Sequence, residues 1–209
     1  MSSGPVSPAP RELTNATIVP AIIEVPPRVL LSLSGAGAPD SVEFGSCVGA
    51  LYGVAYELKF GRKKATGKDF KVGPLVGIWW AESHDLAGGV VPPRDSWRWT
   101  VQLDVPPDVL AKDVDEIIEA AVTKKDGKLK GSPHARRVAL VTEPQRRFGR
   151  VLHVGPYADE PRSFASIASL LETEGLHREP WHVEVYLSDP ERTAPEKLKT
   201  VLLAPIAMQ

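Results

Sequence analysis

The sequence predicts an α+β protein that contains two copies of a βαββ-type module. Each half of the chain offers a strand-like segment, then a helix with one apolar stripe, then a strand that carries aromatic residues. The shared order of these elements favours a duplication. Two such modules would place a ligand cleft where their sheets meet. The matching residues are Arg28, Val29 and Leu30 with Arg150, Val151 and Leu152, and Phe44, Val48 and Leu51 with Phe164, Ala168 and Leu171.

The first module is predicted over about residues 25–127 and begins with a strand at 25–34, which the GAGAPD run ends. The helix that follows has Asp40 as its expected N-cap, because Glu43 lies three residues later, as in a capping box. Cys47 lies on the apolar stripe of this helix, and we expect it to be an ordinary core residue. The stripe consists of Phe44, Cys47, Val48, Leu51, Val54, Ala55 and Leu58.

Two strands and a helix complete the first module. Residues 74–82 are apolar on both faces, which is typical of a strand that is buried on both sides. After a Gly/Pro-rich loop at 87–94, residues 97–105 alternate between two faces and predict another strand. Pro107 then opens a predicted helix that runs to the break near Asp126.

The second module is predicted over about residues 134–206. It has strands at 137–142 and 148–154 and a helix at 162–174, which ends at Gly175. The next strand lies in the string WHVEVYLSDP. A capping-box pair, Thr193 and Glu196, then predicts a short terminal helix.

Composition excludes several classes of protein. The chain has 209 residues, a formal net charge of −1 and 24% charged residues, so no strong field attracts nucleic acid or an anionic membrane. A single cysteine cannot form an intrachain disulfide, which favours the cytoplasm. Residues 1–15 resemble a disordered tail and lack the pattern of a signal peptide, and no apolar run approaches about 18 residues. The sequence is compatible with both a monomer and a homo-oligomer.

Glu184 is the strongest candidate for a functional residue. It lies in the middle of a strand whose other face is apolar, beside His182 and Tyr186 on its own face. A charge at such a position is costly unless it is solvated or paired. Glu184 therefore lies either on a solvent-facing edge strand or in a cleft, where it would attract a cation or act as a general acid or base.

Aromatic residues supply candidate walls for such a cleft. Tyr157 follows a Gly-Pro turn at a strand end, which favours a rim position, although an ordinary turn tyrosine fits equally. Tyr52 and Tyr56 lie at i and i+4 on the first long helix, where they reach a cleft or pack on the sheet. Four tryptophans, Trp79, Trp80, Trp97 and Trp99, lie on two successive strands, and alternation sends some into the core and others to the opposite face. They either pack in the core or, beside a carboxylate, form a cation-binding wall.

Other chemistries have no support in the sequence. The five histidines show no metal-ligand spacing such as HExxH, so we expect no metal site and no cofactor. GAGAPD does not match a dinucleotide fingerprint, and no serine lies in a G-x-S-x-G elbow. The GRKK segment is too short for a nucleic-acid footprint, and no helix-turn-helix fits.

Five strings then carry a family resemblance: LYGVAYELKF, PLVGIWWAE, SWRWT, HVGPYADEP and HVEVYLSDPERTAPEKLKT. They resemble those of stand-alone GyrI-like small-molecule-binding proteins, over residues 25–206, which sets the domain at 16–209. The resemblance implies two tandem βαββ modules related by a pseudo-twofold axis, as in the effector-binding domains of multidrug-responsive regulators. The cleft between them would bind lipophilic cations and dyes.

The resemblance also implies roles for individual residues. Glu184 would be the cleft carboxylate, with Tyr157, Trp79, Trp80, Tyr52, Tyr56 and Trp181 as wall residues. Some family members are hydrolases that open electrophilic cyclopropanes of natural products. In that case Glu184 would activate a water molecule and Tyr157 would donate to the developing oxyanion.

Overall fold

The computed structural model describes residues 5–81 and 92–207, so the predicted strand end at Glu82 and most of the predicted 87–94 loop lie outside the described residues. The described part of the chain contains four α-helices and eight strands. The helices are α1 (Arg11–Thr14), α2 (Val42–Thr66), α3 (Ala111–Thr123) and α4 (Glu160–Thr173). The strands are β1 (Ala21–Val25), β2 (Arg28–Ala36), β3 (Leu75–Ala81), β4 (Trp97–Val105), β5 (Ala139–Glu143), β6 (Arg146–Val154), β7 (His182–Tyr186) and β8 (Lys199–Pro205).

All eight strands form one antiparallel sheet in the order β1-β6-β8-β7-β3-β4-β2-β5. The segments β2-α2-β3-β4 and β6-α4-β7-β8 are both βαββ units, which confirms the predicted α+β fold and its duplicated module. The units meet where β3 pairs with β7, on a pseudo-twofold axis. The strand before each unit pairs with the other unit, β1 with β6 and β5 with β2. The two units are therefore joined at the centre and at both edges of the sheet.

One row of paired residues crosses the sheet and shows which side chains share a face. Directly paired residues of antiparallel strands project to the same side. The outer members of the row belong to the cores beneath α2 and α4, so both helices cover one face, with Gly77 and Glu184 between them. The row consists of Leu33, Val101, Gly77, Glu184, Leu202 and Val151.

Part of the opposite face of the sheet is covered by the N-terminal segment. Val76, Val185 and Val201 pack in a cluster that also contains Leu13 of α1, which is only 2% exposed. The part of the predicted disordered tail around Leu13 is therefore folded. The burial of the Leu13 side chain against the sheet removes apolar surface from water and stabilises this segment.

Two helix starts differ from the sequence prediction. Ser41, not Asp40, is the N-cap of α2, because its hydroxyl accepts a hydrogen bond from the Phe44 amide at 3.1 Å. The prediction that Pro107 opens a helix is also wrong. A turn closed by the Val109 amide and the Pro106 carbonyl comes first, and α3 begins at Ala111.

The predicted terminal helix is reduced to one 3-10 turn, Pro195–Lys197, without a side-chain cap, so the capping-box interpretation of Thr193 and Glu196 is wrong. The chain instead continues as β8, in the interior of the sheet between β6 and β7. Val201, Leu202 and Leu203 are fully buried, so apolar side chains on both faces hold this segment as a strand. Among the described helices, none has the length and hydropathy needed to cross a bilayer.

Candidate functional site

Glu184 lies on β7 at the centre of the sheet face that α2 and α4 cover, and we call the space between these two helices the interhelical cleft. Its side chain is largely buried and retains 12% exposure. Two side chains on the same strand, His182 and Tyr186, bind this carboxylate. The predicted partners of Glu184 on its own face are thus brought together.

Tyr186 connects Glu184 to a tryptophan. The Trp79 Nε1–H donates to the Tyr186 hydroxyl at 3.0 Å, and the Tyr186 hydroxyl donates to the Glu184 carboxylate. Burial raises the pKa of Tyr186 well above its ordinary value, and the charge of Glu184 raises it further. The phenol therefore stays a hydrogen-bond donor. Gly77 lies beside this chain of bonds, where a Cβ would lie 2.7 Å from Trp79 Nε1.

His182 binds Glu184 from the other side, with Nε2 2.9 Å from Oε1. A carboxylate only accepts hydrogen bonds, so the neutral ring carries its proton on Nε2. The imidazole packs edge-on against Phe164 of α4 at 4.8 Å between ring centroids. Its Nδ1 is buried and has no hydrogen-bond partner among the described residues. Two donors thus orient Glu184, and neither is a lysine or an arginine.

Tyr157 lies at the rim, in a 3-10 turn before α4, with 39% of the residue exposed. Its ring meets that of Tyr186 edge-on at 6.0 Å. Burial raises the pKa of Tyr157 to about 12, and the charge of Glu184 adds to this rise. Its phenol is therefore protonated at physiological pH and available as a donor near Glu184.

A second carboxyl group, Glu160, lies close to Glu184 and was not predicted as a site residue. Burial raises the pKa of Glu160 to about 10, with a further contribution from the charge of Glu184, while a hydrogen bond from Thr200 opposes the rise. One of its oxygens, Oε1, is buried without a hydrogen-bond partner among the described residues. Glu160 is therefore protonated at neutral pH.

The α2 side of the cleft carries Tyr52 and Tyr56. Burial raises the pKa of Tyr52, which is hydrogen-bonded to the backbone of Leu75 on β3. The Tyr56 ring stacks on those of Tyr52 and Phe60, with 6.5 Å and 6.2 Å between ring centroids. Tyr56 is 46% exposed. Tyr52 thus packs on the sheet beside the cleft, whereas Tyr56 lies towards solvent.

Trp80 and Trp181 are on the other face of the sheet. Trp80 follows Trp79 on β3, and Trp181 precedes His182, so alternation turns both away from Glu184. They line an open groove of about 610 Å³ with Ile78, Ala81, Thr100 and Pro180. The structure therefore divides the predicted wall residues between two faces. Trp80 and Trp181 lie on the face opposite Glu184, and the other predicted wall residues lie on the same face as Glu184.

The site contains one oriented carboxylate, that of Glu184. Glu184 accepts hydrogen bonds from His182 and Tyr186, which orient its carboxylate oxygens. Tyr157 and Tyr186 beside it present ring faces and edges of the kind that bind organic cations. Trp79 is only 2% exposed and belongs to the core, so it reaches the site through its Nε1–H hydrogen bond to Tyr186. The same arrangement places a protonated phenol and a protonated carboxyl next to an ionised carboxylate.

Comparison with known proteins agrees with this architecture. A family model described as the GyrI-like small molecule binding domain matches residues 108–207. No curated protein matches the chain significantly. Among solved structures, an uncharacterized conserved protein from Listeria innocua is 32% identical, with a TM-score of 0.80, and the alignment covers 92% of this chain and 94% of that one.

A hydrolase from Listeria innocua is also 32% identical, with a TM-score of 0.78 and coverage of 92% and 93%. The C-terminal domain of EcmrR has the same fold at a TM-score of 0.54, with coverage of 91% and 98%, and its 13% identity supports the fold alone. The duplicated βαββ sheet, the family model and the relatives at 32% identity agree, and the chain belongs to the family of GyrI-like small-molecule-binding proteins.

Proposed function

We propose that the interhelical cleft binds bulky lipophilic small molecules, in particular aromatic cations, with Glu184 as their counter-ion. One observation carries this proposal: Glu184 is held as an oriented carboxylate by His182 and Tyr186, and within residues 5–81 and 92–207 it has no lysine or arginine partner. A carboxylate in partly buried surroundings is stabilised when a cation approaches it, and this favours cationic ligands over neutral ones.

The neighbouring rings supply the lipophilic part of the site. Tyr186 adjoins Glu184 and Tyr157 stands at the rim, while the buried Trp79 holds Tyr186 in place through a hydrogen bond. Aromatic faces attract organic cations and also bury apolar surface of a flat ligand. Glu160 is protonated at neutral pH and adds no second negative charge to the site, which suits a ligand with one positive charge.

The test is a titration of tryptophan fluorescence with a cationic rhodamine ester, on the wild type and on Glu184→Gln. Glutamine keeps the size of the side chain and removes its charge, so we expect about tenfold weaker binding, or about 1.4 kcal/mol. Glu172→Gln, an exposed position on α4, is the matched control and should bind as the wild type does. Equal affinity in Glu184→Gln and wild type would refute the proposed role of the carboxylate.

A hydrolase is the second candidate, and a specific observation favours it. Tyr157 remains protonated near an ionised Glu184, so the cleft holds an acceptor and a donor of protons together. The 32% identical relative from Listeria innocua is called a hydrolase. We propose electrophilic cyclopropanes as the substrate class.

In that reaction Glu184 accepts a proton from water while the water oxygen bonds to a ring carbon. The ring carbon–carbon bond breaks, and its electron pair moves through conjugation to a carbonyl oxygen, which Tyr157 stabilises by donating a hydrogen bond and then its proton. The proton on Glu184 returns to Tyr157 through solvent.

This candidate is tested by incubating a spirocyclopropyl dienone with the protein in ¹⁸O-labelled water and measuring the hydrated product. Glu184→Gln should lose turnover while it still binds the neutral substrate, and Tyr157→Phe should be slowed by about a hundredfold or more. If the wild type forms no labelled product, the hydrolase proposal is wrong, and the proposal of ligand binding is unaffected.

The cellular setting is part of the proposal. Cys47 is a free, buried thiol, which suits a reducing compartment, and we propose the cytoplasm.

A further inference from the structure

Away from the interhelical cleft, three side chains of metal-ligand type converge at the start of α2. Cys47 Sγ lies 3.5 Å from Glu43 Oε1 and 3.5 Å from His134 Nδ1. One ligand atom from each of the three residues lies within 4.8 Å of the others. The group therefore combines a thiol, an imidazole and a carboxylate in one cradle.

The spacing agrees with tetrahedral zinc. Bond lengths of about 2.3 Å to sulfur and about 2.0–2.1 Å to nitrogen or oxygen, at tetrahedral angles, separate sulfur from the other ligand atoms by about 3.5–3.6 Å. The two sulfur distances in this cluster have the same value. Glu43 and Cys47 lie at i and i+4 on α2, so one helical turn presents both ligands on the same side.

A cation already lies at this cradle. Arg137 donates from Nη1 to Glu43 Oε1 at 2.8 Å, and the same nitrogen lies 3.1 Å from His134 Nδ1. Its other terminal nitrogen donates to the Ser34 carbonyl at 2.7 Å. One guanidinium nitrogen thus contacts two of the three ligand atoms, which shows that the cradle attracts positive charge.

The cradle is open to solvent on one side. Cys47 is fully buried, but the side chains of Glu43 and His134 retain 45% and 22% exposure. Arg137 itself is 42% exposed, so it can turn outward without crossing the core. A metal ion can therefore enter from the Glu43 side and displace the guanidinium.

We propose that Cys47, His134 and Glu43 form a binding site for a thiolate-preferring divalent cation of the zinc class, with Arg137 as the group that the metal displaces. Sulfur and imidazole ligands select zinc and its analogues over magnesium and calcium, which prefer oxygen. Three protein ligands leave a fourth position for water, as in open zinc sites.

The test is a titration of the metal-free full-length protein with Co²⁺, followed by the absorption of the cobalt–thiolate bond and by competition with Zn²⁺. We expect one equivalent of Co²⁺ with thiolate absorption, all of it displaced by Zn²⁺. Cys47→Ser should remove this absorption, and His134→Gln should weaken binding by more than about tenfold. Arg137→Gln should bind more tightly than the wild type, because the competing cation is gone.

His177→Gln is the matched control, since His177 is exposed and distant in sequence from the cluster. Circular dichroism of each variant checks its fold, and His134→Gln provides the answer if Cys47→Ser does not fold. No cobalt–thiolate absorption in the wild type would overturn the proposal. Equal affinities in His134→Gln, His177→Gln and the wild type would also overturn it.

Discussion

His182 donates a hydrogen bond from Nε2 to Oε1 of Glu184 across 2.9 Å, between two residues that share one face of β7. A strand places residues i and i+2 on the same side, so this contact is a local consequence of the pattern HVEVY. It holds the Glu184 carboxylate in one orientation at the centre of the sheet.

Removal of this donor should weaken ligand binding. His182→Phe keeps the ring that packs on Phe164 but loses the hydrogen bond, so we expect affinity for a cationic dye to fall by about threefold to tenfold. Fluorescence titration measures this change, with His177→Gln as the control. Unchanged affinity in His182→Phe would show that the bond does not contribute to binding.

Glu160 should make stability depend on pH. Its folded pKa is raised to about 10 from an ordinary 4.5, so the folded protein takes up a proton that the unfolded chain lacks at neutral pH. The free energy of unfolding should therefore decrease as pH rises from about 4.5 towards 10. Glu160→Gln removes this loss and should stabilise the protein at pH 7 by on the order of 2–3 kcal/mol.

Urea denaturation at pH 5 and pH 8 measures this effect, with Glu172→Gln as the control on the same helix. The gain in Glu160→Gln should be larger at pH 8 than at pH 5. A gain that is equal at both values, or a loss at pH 8, would contradict a neutral Glu160.

Gly77 should be required for the hydrogen-bond chain that ends at Glu184. A Cβ at this position would lie 2.7 Å from Trp79 Nε1 and 3.1 Å from the Tyr186 hydroxyl, so Gly77→Ala must displace one of them. We expect Gly77→Ala to lower dye affinity. Gly53→Ala is the comparison, because its Cβ would lie 2.7 Å from the Leu129 side chain, and it should cost about 1–3 kcal/mol of stability without changing affinity.

Arg28 should be essential for the outer edge of the sheet. Its guanidinium binds Asp104 at 3.3 Å and Glu143 at 2.6 Å, which links β2 to β4 and β5. Arg28→Met leaves Asp104 buried without its partner and should cost about 3–5 kcal/mol in the free energy of unfolding. The double variant Arg28→Met/Asp104→Leu should recover part of this loss in urea denaturation, and an equal loss in both variants would contradict the assignment.

Strand periodicity predicted the central part of the site. Alternation placed His182, Glu184 and Tyr186 on one face, and the separation of Trp79 from Trp80 follows from the same rule. Local patterns could not predict Glu160, because DEP before an apolar stripe is typical of an ordinary helix start. Its hydrogen-bond partner, Thr200, lies on β8, 40 positions further along the chain.

Three further features of the structure could not be predicted from local sequence patterns. β8 is buried on both faces, so its sequence is an apolar run without the alternation that marks a half-buried strand. His134 reaches Cys47 across 87 positions in the chain, and no local spacing rule reports such a contact. The exchange of β1 and β5 between the units is likewise a long-range property of the fold.

Two dyes of one ring system, a cationic rhodamine ester and anionic fluorescein, show whether Glu184 is the counter-ion when both are titrated into the wild type and Glu184→Gln. We expect the wild type to prefer the cation by about tenfold or more and Glu184→Gln to lose most of this preference. A preference for the cation that is equal in the two proteins would contradict Glu184 as the counter-ion of the cleft.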